Sequence, residues 1–244
     1  MNFKVTLAYD GTRYSGFQRQ ENANTVQEEV ERALAVIYGR EVRVSGAGRT
    51  DSGVHARGQV ISFTADERVP LAALPYALKG LLPRDIVAWK AEAAAEDFHA
   101  RFSSSQKEYL YTVDNGPFPD VFTRKYAYHY PAELNLQAMQ AAAEVLKGRH
   151  DFSAFRGANT DLREPLRDLE EAAVFTRGPY LVMAFRSRGF LYKMARIIAG
   201  TLIQVGEGIL APEDLKGILG SRCRERAGPT APAHGLCLER VQYD

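Results

Sequence analysis

Cysteine is scarce in this chain of 244 residues, and long apolar runs are missing from it. Only Cys223 and Cys237 occur, without CxxC spacing, which excludes a disulfide scaffold and a cysteine zinc site. No run approaches the roughly 18 apolar residues that a membrane-spanning helix needs. The N-terminus begins with an alternating strand pattern rather than a signal peptide. We therefore expect a cytoplasmic protein with no membrane association and no metal site.

Acidic residues are absent from one long segment, although the net charge of the whole chain is only +1. No Asp or Glu occurs in residues 172–206, whereas five cations do: Arg177, Arg186, Arg188, Lys193 and Arg196. Such segregation fits contact with a phosphate backbone, and it equally fits a solvated basic face. Charge alone leaves both interpretations open.

Hydrophobic periodicity predicts the same order of elements, β-α-β-β-α-β, in each half of the chain. The first set is predicted at residues 3–9, 25–39, 41–47, 59–64, 71–82 and 86–94. The second is predicted at 107–113, 136–146, 166–176, 180–186, 190–205 and 236–243, with a short added helix after residue 212. This order predicts an α/β (α+β) protein made of two ferredoxin-like or RRM-like split-βαβ domains with antiparallel mixed sheets. We expect the domains to be residues 1–104 and 105–244.

A glycine-rich loop, GAGRTDSGVHARG at residues 46–58, surrounds one acid with cations. It lacks the GxGxxG spacing and the GKS or GKT ending of nucleotide-binding loops. Asp51 is either an Asx-turn residue or a reactive carboxylate, which Arg49 and Arg57 would hold ionised as a nucleophile or a stabiliser of positive charge. His55 is either a general base or a residue that ties the loop down.

Aromatic and basic residues alternate further along the chain, where Tyr109 and Tyr111 share one face of a predicted strand. With Arg101 and Lys107 beside them, they form either a core tyrosine pair or a platform for stacking RNA bases.

A cation lies on the predicted apolar helix at 190–205. Arg196 there needs a carboxylate partner if it is buried, and Asp51 is a candidate on charge grounds only.

Five ordered segments, spanning nearly the whole chain, closely resemble the TruA-type tRNA pseudouridine synthases. They are YDGT at 9–12 with GFQRQ at 16–20, GRTDSGVHA at 48–56, FHARFS at 98–103, GFLYKMAR at 189–196 and PAHGL at 232–236. The chain departs from the family pattern at Phe17, where a tryptophan is common, and it keeps an aromatic ring there.

The resemblance implies two α/β domains with an active-site cleft between them. It implies isomerisation of uridine to pseudouridine in the anticodon stem-loop of tRNA, at positions 38 to 40. It also implies a homodimer that binds tRNA and needs no cofactor, which suits a redox-neutral rearrangement.

The same resemblance implies roles for three catalytic residues. Asp51 matches the catalytic aspartate, which acts at C1′ of the ribose, on a sugar proton, or at C6 of the base. Arg196 matches the basic residue that pairs with this aspartate. Tyr109 matches the tyrosine that stacks on the target base and is implied to help remove the C5 proton.

Substrate binding is expected from Arg49, Tyr109, Lys193 and Leu191. Arg49 matches a residue near the flipped nucleotide, and Lys193 and Leu191 belong to the matched segment at 189–196.

Two alternatives remain open. A non-catalytic RNA-binding protein with two RRM-like domains would explain the tyrosines and the basic stretch, but it would need no Asp51 and would carry an RNP1 pattern, which is missing. A glycoside hydrolase would normally need a second carboxylate, and none lies near Asp51 in sequence.

Overall fold

The computed structural model describes residues 1–158 and 164–244, which divide into two compact units. The first unit contains residues 1–105 and 237–244, and the second contains residues 106–236. The strands are β1 (Asn2–Tyr9), β2 (Ser45–Gly46), β3 (His55–Thr64), β4 (Ile86–Ala94), β5 (Ser104–Asp114), β6 (Tyr128–His129), β7 (Gly148–Asp151), β8 (Leu166–Arg177), β9 (Tyr180–Ser187) and β10 (Leu236–Tyr243). The α-helices are α1 (Val26–Tyr38), α2 (Leu74–Leu81), α3 (Leu136–Leu146), α4 (Met194–Gly206) and α5 (Asp214–Ser221).

The sheet of the first unit has the order β4-β1-β3-β10, with β2 paired to β3. Its pairs are antiparallel except for β3 and β10, which run parallel. Helix α1 packs on this sheet through Tyr38, whose ring lies edge-on to Phe3 and Phe63. The helix begins where the Thr25 hydroxyl accepts a hydrogen bond from the Glu28 N–H at 3.4 Å, which caps the first turn.

The sheet of the second unit has the order β5-β9-β8-β7, with every neighbouring pair antiparallel and β6 parallel to β5. Helices α3 and α4 pack closely, because Gly206 leaves room for Met139: a Cβ on the glycine would lie 2.8 Å from the methionine sulfur. Asn135 caps α3 by accepting a hydrogen bond from the Ala138 N–H at 3.0 Å.

These sheets and helices confirm the predicted α+β class with mixed sheets. The last strand, β10, pairs with β3 of the first unit through Cys237 and Leu238, whereas the sequence pattern placed it in the second repeat. The division into domains at residues 1–104 and 105–244 stays a prediction.

Three local predictions need correction. Residues 41–47 contain only the two-residue strand β2, and β3 begins at His55 rather than at residue 59. Helix α4 begins at Met194 and not at residue 190, because Lys193 has a left-handed backbone with φ of 58°, which an α-helix cannot contain. Among the described helices, none combines the length and the apolar character needed to cross a membrane.

Candidate active site

Asp51 lies in the loop between β2 and β3, at the start of a tight turn. The Val54 N–H donates to the Asp51 carbonyl at 3.1 Å, and Gly53 supplies the positive φ of 78° that this turn uses. The aspartate side chain is half-buried. The turn therefore fixes the backbone that carries the carboxylate.

A second loop, residues 11–17, supports this turn by backbone hydrogen bonds. The Phe17 N–H donates to the Thr50 carbonyl at 3.1 Å, and the Gly53 N–H donates to the Tyr14 carbonyl at 3.3 Å. These bonds connect the supporting loop to the Asp51 turn at a residue before Asp51 and at a residue after it.

Two glycines of the supporting loop permit this close approach. Gly16 has φ of +97°, and a Cβ there would lie 2.6 Å from the Thr50 carbonyl oxygen. A Cβ on Gly11 would lie only 2.0 Å from the Val54 carbonyl oxygen. Any side chain at either position would therefore displace the loop that carries Asp51.

A buried polar network also holds the residues just before Asp51. The Tyr9 hydroxyl lies 2.8 Å from the Thr50 hydroxyl, and the Gln59 amide donates to the Gly48 carbonyl at 2.8 Å. Burial raises the pKa of Tyr9, so its phenol stays neutral. Sequence alone assigns no role to Gln59, and its one signal for Tyr9 is the place of this residue in the matched YDGT segment.

His55 serves the loop as a buried anchor. Its ring is only 4% exposed, and its Nδ1 accepts a hydrogen bond from the Gly11 N–H at 3.0 Å. The Asp10 carboxylate lies 3.3 Å from the same nitrogen. A nitrogen that accepts from the backbone cannot also donate to Asp10, so we assign the backbone bond. This geometry favours the loop-tying interpretation of His55 over the general base.

The loop arginines do not form ion pairs with Asp51, contrary to the sequence-based expectation. Arg57 lies on β3, exposed, with its Nε 3.5 Å from the Glu239 carboxylate. Arg49 is exposed and makes no ion pair within residues 1–158 and 164–244. The alternation of β3 turns Arg57 toward β10 rather than toward the loop.

Two further arginines, in or next to the supporting loop, form ion pairs with carboxylates. Arg13 contacts Asp85 at 2.6 Å, and Arg19 contacts the buried Glu31 at 3.1 Å.

Tyr109 belongs to the second unit, on β5. Its side chain is 7% exposed, and its ring meets the Phe190 ring edge-on with centroids 5.0 Å apart. This contact fixes the plane of the phenol.

Arg196, on α4, is anchored to an extended segment that follows α5. Its Nε donates to the Ala231 carbonyl at 2.8 Å, and the Ala231 N–H donates back to the Arg196 carbonyl at 3.1 Å. Burial, and then the positive charge of Arg196, lower the pKa of His234. Tyr111 completes the cluster by donating to the Pro232 carbonyl at 3.0 Å. The matched PAHGL segment thus lies close to the guanidinium stem.

Leu191 and Lys193 precede α4. Leu191 is 4% exposed, and its carbonyl accepts from the Met194 N–H at 3.1 Å. The Lys193 ammonium lies 5.0 Å from the Tyr192 ring centroid. Asp51 and Arg49 therefore lie in the first unit, whereas Tyr109, Leu191, Lys193 and Arg196 lie in the second.

Metal-binding side chains are not clustered in the described part of the chain, where no group of three or more His, Cys, Asp or Glu residues could hold an ion.

Known proteins resemble this chain over nearly its full length. A family model described as tRNA pseudouridine synthase matches residues 6–103 and 142–244. The tRNA pseudouridine synthase A of Moorella thermoacetica is 49% identical over 98% of both chains. The proteins of that name from Bacillus pumilus and Bacillus subtilis are each 47% identical over 100% of both chains.

A solved structure, the crystal structure of a Cbf5-Nop10-Gar1 complex, is 12% identical, with a TM-score of 0.34 over 82% of this chain and 45% of that chain. This score is too low to carry an argument about the fold. The family match and the full-length identities are decisive by themselves: the chain belongs to the tRNA pseudouridine synthase family.

Proposed function

We propose that the protein isomerises uridine to pseudouridine in tRNA, in the anticodon stem-loop at positions 38 to 40, with Asp51 as the catalytic residue. The observation that carries this proposal is the support given to one carboxylate. Backbone bonds from the 11–17 loop, two glycine contacts and the Tyr9–Thr50 bond all converge on the turn that holds Asp51. Such preorganisation is what a reacting group needs.

The reaction balances without any cofactor. The bond between C1′ and N1 breaks, a bond between C1′ and C5 forms, C5 loses its proton and N1 gains one. No oxidant or reductant is consumed. Asp51 begins the reaction at C1′ as a nucleophile, at the sugar as a base, or at C6 of the base by addition.

The remaining roles extend the proposal to the second unit. Tyr109, held by Phe190, stacks on the target base and takes part in removing the C5 proton. Arg196, whose Nε is held by the Ala231 carbonyl, is the basic residue to which the family resemblance assigns pairing with the catalytic aspartate. Arg49, exposed and without an ion pair in the described residues, is available to the flipped nucleotide or its phosphate, and Lys193 and Leu191 border the substrate.

A uridine inside a stem must leave the base stack before a side chain reaches its ribose, at a cost of roughly a few kcal/mol. The acid-free segment 172–206 offsets this cost through phosphate contacts. The proposal includes a cytoplasmic homodimer, as the family resemblance implies.

One product assay tests the reaction class. Purified protein is incubated with unmodified tRNA, and pseudouridine and free uracil are measured together. We expect pseudouridine without uracil. Uracil release would show a hydrolase, and tRNA binding without either product would show the non-catalytic RNA-binding alternative.

A further inference from the structure

The segment between β5 and β6, residues 115–127, exposes large apolar side chains. Phe118 is 84% exposed, Phe122 is 87% exposed, Val121 is 60% exposed and Tyr126 is 48% exposed. Several exposed apolar side chains in one short segment mark a binding surface more often than isolated ones do.

The base of this segment is built rigidly. The buried Asp114 carboxylate accepts from the Gly116 N–H at 3.2 Å and from the Asp120 N–H at 2.9 Å. The Asn115 amide donates to the Ala132 carbonyl at 2.8 Å. These bonds hold the phenylalanines in place although their own side chains have little packing.

The one acid of the segment, Asp120, is hydrogen-bonded to three donors, and the cations of the segment are exposed. Asp120 accepts from the Phe122 N–H at 2.9 Å, from the Tyr180 hydroxyl at 3.0 Å and from the Thr123 hydroxyl at 3.1 Å. Arg124 and Lys125 are exposed. The outer chemistry of the segment is therefore aromatic and positively charged.

The neighbouring β8–β9 hairpin extends this surface. Tyr180, on β9, also lies within 3.0 Å of the Thr123 hydroxyl, which joins the hairpin to the segment. Beside it, the Arg177 guanidinium carbon lies 5.6 Å from the centroid of the Phe175 ring. Rings and cations thus continue from the 115–127 segment onto the hairpin.

We infer that this surface binds an RNA strand at unpaired bases, through stacking on Phe118 and Phe122 and phosphate contacts from Arg124 and Lys125. Exposed rings stack on bases only where the bases are not already paired and stacked in a helix. The inference rests on the proposed function, because that function identifies the bound RNA as tRNA. A symmetric contact with a second copy is disfavoured, because it would bring the cations of both copies together while the one acid of the segment, Asp120, is already hydrogen-bonded.

A double variant tests the stacking rings directly. Phe118→Ala with Phe122→Ala should raise the Kd for unmodified full-length tRNA about tenfold or more, measured by fluorescence anisotropy at fixed salt. Tyr76→Ala is the matched control, since Tyr76 is 78% exposed on α2 and should leave the Kd unchanged. An unchanged Kd in the double variant overturns the inference.

Single substitutions at Phe122 separate RNA stacking from an apolar protein contact. Stacking predicts that Phe122→Tyr keeps the wild-type Kd while Phe122→Leu weakens binding. Equal tRNA binding by both variants, together with a change in oligomeric state on sedimentation for the alanine double variant, would instead identify a contact between copies and overturn the inference.

The role of Arg124 and Lys125 is tested separately, through the salt dependence of the Kd. Arg124→Gln with Lys125→Gln should reduce the slope of log Kd against log salt by about 0.7 for each lost phosphate contact, and an unchanged slope contradicts their role. Binding is measured apart from product formation. If the wild-type protein makes no pseudouridine yet these variants weaken tRNA binding, the proposed function fails while the RNA surface stands.

Discussion

Gly16→Ala is the sharpest test of how the supporting loop positions Asp51. The backbone of Gly16 has φ of +97°, where an L-residue costs roughly 1–2 kcal/mol. The new Cβ would also lie 2.6 Å from the Thr50 carbonyl oxygen, which is a backbone atom with no freedom to rotate away. The two loops must therefore separate by at least about 0.4 Å to reach the 3.0 Å below which such contacts are essentially never found.

Both stability and catalysis should respond to this separation. We expect the free energy of unfolding to fall by about 2–4 kcal/mol, which combines the backbone strain with the loosened loop contacts. Because a misplacement of about 1 Å costs a catalytic group on the order of a hundredfold, we expect kcat to fall roughly tenfold or more. Urea unfolding and single-turnover pseudouridine formation, assayed under conditions where the variant is folded, measure the two effects.

Gly80→Ala is the matched control, because Gly80 lies in α2 and a Cβ added there would have no heavy atom within 4 Å outside its own stretch of helix. Alanine should stabilise that helix by up to about 1 kcal/mol and leave kcat unchanged. If Gly16→Ala has the wild-type free energy of unfolding and the wild-type kcat, the loop contact does not position Asp51 and the reasoning is refuted.

Three further predictions address other parts of the structure. Tyr9→Phe removes the partner of the Thr50 hydroxyl and should lower the free energy of unfolding by about 1–2 kcal/mol while reducing kcat more than it changes KM; equal kcat would remove its positioning role. Burial raises the pKa of the Cys237 thiol to about 12, so maleimide at pH 8 should label Cys237 more slowly than Cys223, although both residues are half-buried. Equal labelling rates, measured by mass spectrometry, would contradict the raised pKa. The lowered pKa of His234 means that the folded state binds its proton less readily than the unfolded state, so its contribution to stability is present above about pH 6.5 and is lost as the pH falls below it. His234→Gln should flatten that part of the stability profile, and an unchanged profile contradicts the assignment.

Sequence patterns predicted the bounds of those helices and strands whose ends depend on residues next to them in the chain. The helix predicted at 136–146 has those bounds in the structure, because Asn135 caps its first turn and the chain leaves the helix before Gly148. The alternation in β1 likewise predicted a strand, since one face of it packs against α1.

The strand predicted at residues 41–47 is shorter in the structure, because side chains take the backbone hydrogen bonds that a neighbouring strand would otherwise make. Val42 and Val44 are buried as a strand pattern predicts, yet the Val44 N–H donates to the Glu31 carboxylate at 3.1 Å, and its carbonyl accepts from the Gln27 amide at 3.1 Å. These bonds from α1 take the groups that a longer ladder would use. No local pattern contains that information, because it depends on where α1 packs.

The site shows the same limit. The sequence indicated Asp51 by its setting, but the contact between the 11–17 loop and the turn joins residues that are far apart along the chain. Gly11 and Gly16 carried the only signal, since a glycine is needed where two backbones meet. The prediction that Arg57 acts on Asp51 was wrong, because closeness in sequence does not determine the direction in which a strand side chain points.

The central claim is that the Asp51 carboxylate carries out the chemistry, and Asp51→Asn tests it most directly. This change keeps the size of the side chain and removes its charge, so the variant should still fold cooperatively and bind tRNA with an affinity close to that of the wild-type protein. Asp97→Asn, an exposed loop aspartate of the same unit, is the control and should retain full activity. The account predicts no pseudouridine from Asp51→Asn in a single-turnover assay with unmodified tRNA, and pseudouridine formation at the wild-type rate would contradict it.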